Sequence, residues 1–161
     1  MKKIAICAGS YDPVTFGHLD VIERASSIFD ELYVSVGINQ DKKGMFTPEI
    51  RMDFLKRMTS HLSNVHVTTF DGLLVRYAKE IGAKYMIRGI RAVSDFEFEF
   101  TLNGINQKQD PDIQTIFMMP PEKFLFISSS NVKALARFDG NISEYVPEFI
   151  AKAVKDQFKK T

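Results

Sequence analysis

Residues 9–18 read GSYDPVTFGH and stand between the apolar run IAICA at residues 4–8 and a segment with helical periodicity. A strand that turns straight into a helix brings the helix's first N–H groups to a sheet edge, where they attract anions. Glycine-rich phosphate fingerprints occupy such turns. This turn has only Gly9 and Gly17, with Ser10, the pair Asp12-Pro13 and His18. The reading of the whole chain depends on what such a turn binds and why it ends in a histidine.

Outward from this stretch the chain alternates between two patterns. Short apolar runs predict strands over residues 3–8, 32–38, 65–70, 85–87 and 115–119. Between them apolar residues step at helical spacing. Over 17–29 the stripe is Leu19, Ile22, Ala25, Ile28 and Phe29. Thr47-Pro48-Glu49 starts a second helix with a Thr cap and Pro at the first helical position. Its buried stripe is Ile50, Phe54, Leu55, Met58 and Leu62. A third runs over 73–81, with Gly82 as its stop. Two more are predicted at 130–138, closing near Gly140, and at 147–158.

Residues 95–102, DFEFEFTL, alternate with period two, as a half-buried strand does. Extended to Asn106 they also fit a helix with Phe98, Leu102 and Ile105 on one face. The strand–helix alternation elsewhere selects the helix, and Phe96, Phe98 and Phe100 are expected in the core. Strands alternating with helices imply a parallel sheet covered on both faces. The expectation is a single α/β domain over residues 1–161. It is a doubly wound, Rossmann-like five-stranded parallel sheet with helices on both faces.

Composition narrows the function classes. The chain is 45% hydrophobic and 25% charged, with formal net charge +1. That balance gives no general attraction to nucleic acid or a membrane surface, so neither is expected as a partner, and any basic site must be local. Cys7 is the only cysteine, so no intrachain disulfide can form and a cytoplasmic setting is expected. Cys7 itself reads as a buried, inert thiol. The opening MKKIAICAGS is not expected to act as a signal peptide, because its apolar stretch is short and a turn follows. No segment reaches the ~20 apolar residues of a membrane span.

In doubly wound sheets, ligands bind beyond the carboxyl ends of the strands. The segments after the predicted strands carry His18, Lys42, Lys43, Arg88, Arg91 and the three serines 128–130. Cations, hydroxyls and helix starts at one edge suit a polyanion such as a nucleoside triphosphate. Plainer readings stand beside this one. Lys42 and Lys43 could be solvated charge, the serines helix caps, and Asp12-Pro13 turn chemistry. A cationic His18 at a helix start would oppose the helix dipole. His61 and His66 read as surface residues. GxxxxGK[ST] and GxGxxG are absent, as is a Cys/His set for zinc, and no metal-ligating residue is assigned. An enzyme of this kind would act by positioning and charge stabilisation.

These residues resemble a known family. GSYDPVTFGH is similar to the T/HxGH signature of the nucleotidyltransferase superfamily, with Thr15 and His18 at the marked positions. KKGMF at 42–46, IRGIRAVSDFEFE at 87–99 and FISSSNVKALA at 126–136 narrow the resemblance to bacterial phosphopantetheine adenylyltransferases, over nearly the whole chain. The resemblance implies transfer of the adenylyl group of ATP to 4′-phosphopantetheine, giving dephospho-coenzyme A and pyrophosphate.

The resemblance also implies residue roles. His18 contacts the nucleotide phosphates and stabilises the transition state. Ser10, where the family usually has Thr, stands between the acceptor phosphate and the nucleotide. Lys42 and Arg88 hold the acceptor phosphate, and Leu73, Leu74, Leu102 and Asn106 line the pantetheine arm. Tyr11, Gly89, Ile90, Arg91 and Glu99 belong to the ATP side. Phe124, Leu125, Phe126 and Ile127 continue it, and Ser128, Ser129 and Ser130 complete it at a helix start. His18, Lys42 and Arg91 form the implied catalytic set. Leu125 stands where a bulkier residue is common. The resemblance further implies Mg²⁺ held mainly by ATP phosphates and water, dephospho-coenzyme A or coenzyme A as product-site ligands, and a homohexamer. Two rivals remain: a superfamily enzyme acting on nicotinamide mononucleotide, and a non-catalytic nucleotide sensor. The set Lys42, Leu74, Arg88 and Asn106 argues against the first, and intact His18 and ISSS against the second.

Overall fold

The structure is a computed structural model that describes residues 2–39 and 43–159. The elements follow in the order β1 (Ile4–Gly9), α1 (Phe16–Ser26), β2 (Glu31–Ile38), α2 (Pro48–Met58), β3 (Val65–Asp71), α3 (Leu74–Glu80) and β4 (Tyr85–Gly89). Then come α4 (Val93–Gln109), β5 (Gln114–Met118), a 3-10 turn (Glu122–Phe124), α5 (Ser129–Arg137) and α6 (Glu148–Lys159). The five strands form one sheet in the order β3-β2-β1-β4-β5, with every pairing parallel. The predicted doubly wound, Rossmann-like architecture is therefore the observed one.

Strand periodicity divides the core. Ala5 and Cys7 of β1 join Leu32, Val34 and Val36 of β2 in the larger cluster. Val21 and Ile22 of α1, Phe54 and Leu55 of α2, Val132 of α5 and Ile150 and Val154 of α6 cover that face. Ile6 and Ala8 point the other way, into a smaller cluster with Met86, Val75 and Ala78. Cys7 is buried as expected, and burial pushes its thiol pKa up. Among the described residues no helix is long and apolar enough to cross a membrane.

Local chemistry sets the helix ends. Thr15, Thr47 and Ser128 cap α1, α2 and α5 by accepting backbone N–H groups. The predicted stripe of the first helix runs too far, because α1 stops at Ser26 and Ile28 is exposed. The Ser26 and Ser27 hydroxyls donate to the carbonyls of Glu23 and Arg24 and compete for the last turn. Likewise α2 stops at Met58, before the predicted Leu62, where the Thr59 hydroxyl donates to Leu55 O. Gly82 ends α3 region as expected, at φ +72°.

The clearest departure is α4. The choice of helix over strand is right, but Phe96, Phe98 and Phe100 are 42%, 63% and 61% exposed rather than in the core. On a helix, residues two apart point to opposite sides, so a period-two run of Phe cannot share one buried face. None of the helix's residues is buried, and its partly covered positions include Glu99, Leu102, Asn103 and Asn106.

Leu32 has no exposed surface and lies in the larger cluster, away from the cleft described below. Leu32→Ala is expected to lower the unfolding free energy by about 2–5 kcal/mol, the range for a buried Leu truncated without collapse. Urea denaturation would measure it.

Candidate active site

The loop after β1 is tied to the sheet on both sides. Tyr11 takes a left-handed backbone conformation, φ +48°, that leaves its ring buried. Its hydroxyl donates to Cys7 O at 2.8 Å, and burial raises its pKa well above the ordinary value. Asp12 is buried and accepts two backbone N–H groups, from Met45 at 2.8 Å and Phe46 at 2.9 Å. Buried Arg51 of α2 donates from Nη1 to Ser10 O at 2.9 Å. Asp12 thus has a structural use, which accords with its turn reading. It joins the first loop to the connection between β2 and α2.

His18 is the third residue of α1. Its Nδ1 accepts the Thr15 backbone N–H at 3.0 Å, and the Thr15 hydroxyl lies 3.0 Å from the same nitrogen. Thr15 Oγ1 in return accepts His18 N–H at 3.4 Å. This reciprocal cap places a histidine where a Glu or Gln is the common partner. With Nδ1 accepting from the backbone, the ring proton belongs on Nε2. Burial, followed by the charge of Arg91, lowers the His18 pKa to about 4. The imidazole is therefore neutral at pH 7 and does not oppose the helix dipole, as a cation there would.

A cleft of about 310 Å³ opens between the carboxyl ends of β1 and β4. Gly9, Ser10, Tyr11, Thr15, Gly17 and His18 line one side, and Arg88, Gly89 and Arg91 the other. Phe124, Ile127, Ser128, Ser129 and Ser130 close its end. The N-termini of α1 and α5 both meet the cleft. Two of the three serine hydroxyls are committed within the fold. Ser128 Oγ accepts from Asn131 N at 3.0 Å, and Ser129 Oγ donates to Pro13 O at 2.7 Å. The anion donors at this end are the first backbone N–H groups of α5, with the Ser130 hydroxyl beside them.

The arginines are held by carboxylates. Arg88 makes a bidentate pair with Glu99, at 2.7 and 2.5 Å, and its Nη1 donates to Ala8 O at 2.6 Å. Burial works to lower the Arg88 pKa, but hydrogen bonding and charge from Glu99 outweigh it, and the net shift is upward. Arg91 pairs with Asp95 at 3.2 Å and donates to Ile127 O at 3.0 Å. Beside the cleft lies a narrower cavity of about 140 Å³, lined by Leu74, Met86, Arg88, Glu99, Leu102, Asn106 and Thr115. Arg88 faces both spaces.

Most of the residues expected from the sequence converge on these two spaces, and some do not. Glu99 lines the narrow cavity rather than the main cleft. Leu73 caps α3 and is exposed, outside both linings. Phe126 is exposed on the far side of its loop. Ile90 is buried behind the cleft with its N–H on Met118 O, and Leu125 lines neither space. Lys42 lies outside the described residues. Met86, Thr115 and Asp95 were not anticipated. The Thr115 and Asn103 side-chain oxygens are buried without a hydrogen-bond partner among the described residues. No signal marks Thr115 in the sequence, where it reads as an ordinary strand residue. Among the described residues no three His, Cys, Asp or Glu side chains cluster so as to hold a metal.

Two helix N-termini, a neutral imidazole and two arginines at the reversal point of a parallel sheet suit the phosphates of a nucleotide. The model of the cytidylyltransferase-like family matches residues 6–135, and the chain belongs to that family. Among solved structures, one similar protein is assigned as a nicotinate-nucleotide adenylyltransferase of Vibrio parahaemolyticus. It matches with TM-score 0.71 and 22% identity, covering 100% of this chain and 98% of that one. Another is nicotinic acid mononucleotide adenylyltransferase of Plasmodium falciparum complexed with NaAD, at TM-score 0.67 and 18% identity, covering 99% and 96%. At these identities the likeness is one of fold.

The lowered His18 pKa makes a prediction with a definite sign. Between about pH 6.5 and 4 the unfolded chain takes up a proton at His18 that the folded chain refuses. Folding stability should therefore fall as pH falls through that window. His18→Gln should flatten that part of the dependence, measured by denaturant unfolding at a series of pH values.

Proposed function

We propose that the protein transfers the adenylyl group of ATP to 4′-phosphopantetheine, releasing pyrophosphate and forming dephospho-coenzyme A. The observation that carries this reading is the narrow second cavity meeting the main cleft at Arg88. Its walls combine Leu74, Met86 and Leu102 with the polar groups of Asn106 and Thr115. That mixture suits a thin chain of methylenes and amides better than a second nucleoside. The sequence resemblance over nearly the whole chain supports the same acceptor.

In this reading ATP lies in the main cleft, with its phosphates toward the α1 and α5 N-termini. The acceptor phosphate enters at Arg88, and the sequence resemblance adds Lys42 as a second phosphate ligand. One of its oxygens attacks the α-phosphorus of ATP in line, the bond to the α–β bridging oxygen breaks, and that bond's electrons leave with pyrophosphate. The nucleophile is already anionic, so no strong general base is required. The difficulty is to hold two anions together while charge moves onto the leaving group. His18 Nε2–H, Arg91 and the α5 N–H groups donate to that charge. Mg²⁺, bound through ATP phosphates and water, would add further neutralisation there. Dephospho-coenzyme A and coenzyme A would occupy the same two spaces. We further propose a homohexamer, for which the exposed aromatic residues of α4 supply apolar surface.

Pyrophosphate release should be measured with ATP and either 4′-phosphopantetheine or nicotinic acid mononucleotide. Turnover is expected with the first alone, and turnover only with the second would overturn the assignment. His18→Ala should lower kcat by about 10²–10³-fold, the scale of losing one transition-state donor. Arg88→Ala should raise the KM for 4′-phosphopantetheine by at least about tenfold, the scale of one charge-assisted contact, with a smaller effect on the KM for ATP.

A further inference from the structure

His18 is fixed on one side by Thr15, and the structure shows what fixes the other. The Tyr11 ring meets the His18 ring edge to face, with centroids 5.1 Å apart and planes at 67°. Tyr11 is 3% exposed, so this wall is itself immobilised. Three features hold it. Its backbone is in the left-handed region, which an aromatic residue rarely adopts without compensation. Its hydroxyl donates to Cys7 O, inside β1. Its ring lies over Gly9, where an added Cβ would stand 3.3 Å from two ring carbons. A side chain at residue 9 would displace the ring from this position.

These contacts define two sides of one imidazole. Thr15 occupies Nδ1 through its backbone N–H. The Tyr11 ring packs on the imidazole beside that bond. We propose that Tyr11 is a positioning residue whose ring holds His18 in the rotamer and tautomer that present Nε2–H to the nucleotide phosphates. Its strained backbone is tolerated because it delivers the ring to that place. Arg91 is the charged group that acts on His18, from across the cleft. Tyr11 also helps keep water from the imidazole, which accords with the burial that lowers its pKa. The role rests on the proposed transferase reading only for the catalytic half of its test.

The test uses Tyr11→Leu, which removes the aromatic wall but keeps apolar bulk. NMR titration of the full-length protein without substrate should show the His18 pKa rising from about 4 toward 6.5. Its Nε2-protonated tautomer should give way to a mixture. With ATP and 4′-phosphopantetheine, kcat should fall by about 10–100-fold, the scale of a misplaced reacting group, while both KM values stay within about threefold. Tyr11→Phe, which keeps the ring, should restore both readouts. Gly9→Ala, which leaves Tyr11 in place but presses on its ring, should move both in the same direction as Tyr11→Leu. An unchanged His18 titration in Tyr11→Leu would overturn the proposal, as would failure of Tyr11→Phe to restore it. The titration needs no acceptor, so an error in the proposed acceptor would show in the turnover assay and leave this test intact.

Discussion

The sheet winds outward in two directions from the pair β1 and β4, and the rest of the molecule depends on that reversal. Right-handed crossovers running from β1 to β3 place α1 and α2 on one face. The chain then returns to β4 and proceeds the other way, so α3 packs against the opposite face. The loops leaving β1 and β4 must therefore part, and a crevice opens between their carboxyl ends. No side chain has to be sacrificed to make it. The strands beneath remain packed, with Ala5 paired to Tyr85 and Ile6 to Met86.

Charge at this crevice is arranged before any ligand arrives. A guanidinium half-buried without a partner would be costly, and both arginines have one. Arg88 presents its fork to Glu99, and Arg91 presents its own to Asp95. A phosphate offers much the same planar, two-oxygen face as a carboxylate. A phosphate that met either arginine would exchange partners with a carboxylate rather than fill an empty site. His18 differs in kind. Its pKa near 4 keeps it neutral, so its Nε2–H is a donor that adds no third cation to a crowded edge. A neutral donor loses less on desolvation than a charged one, and it suits a position at the start of α1.

Much of this was legible in the sequence, for physical reasons that also explain what was not. The sheet and its order of elements follow from apolar runs alternating with helical stripes, because burial imposes those periods. His18, Arg88, Arg91 and the serines, which the structure brings to one cleft, could be singled out because each follows a strand, whereas Ser10 was assigned through the resemblance. The neutral state of His18 was not legible, since it depends on burial of the ring in the fold and then on Arg91 across the cleft. Nor was the commitment of Ser129 to Pro13, which joins residues 116 positions apart. Thr115 and Met86 lie in strands and look like any core residue until α4 is laid over them.

The reading of α4 as a core helix failed because its polarity is reversed. Ordinary amphipathic helices turn apolar residues to the sheet and polar ones to solvent. Here Glu99, Leu102, Asn103 and Asn106 are the partly covered positions, while Phe98, Phe100 and Ile105 are exposed. The covered side is polar where it borders the narrow cavity. Glu99 braces Arg88, and Asn106 reaches Met86 Sδ at 3.6 Å. Such a face contributes little hydrophobic stabilisation. The helix is instead anchored by the Arg88–Glu99 pair and by Phe96 against Phe117, with centroids 5.8 Å apart. The helix is thus attached mainly through groups that line the narrow cavity. The apolar residues it leaves outside would gain by contact with another surface. Both properties arise because Glu99, Leu102 and Asn106, spaced three and four residues apart, share the covered side, while Phe98 and Phe100 fall outside it.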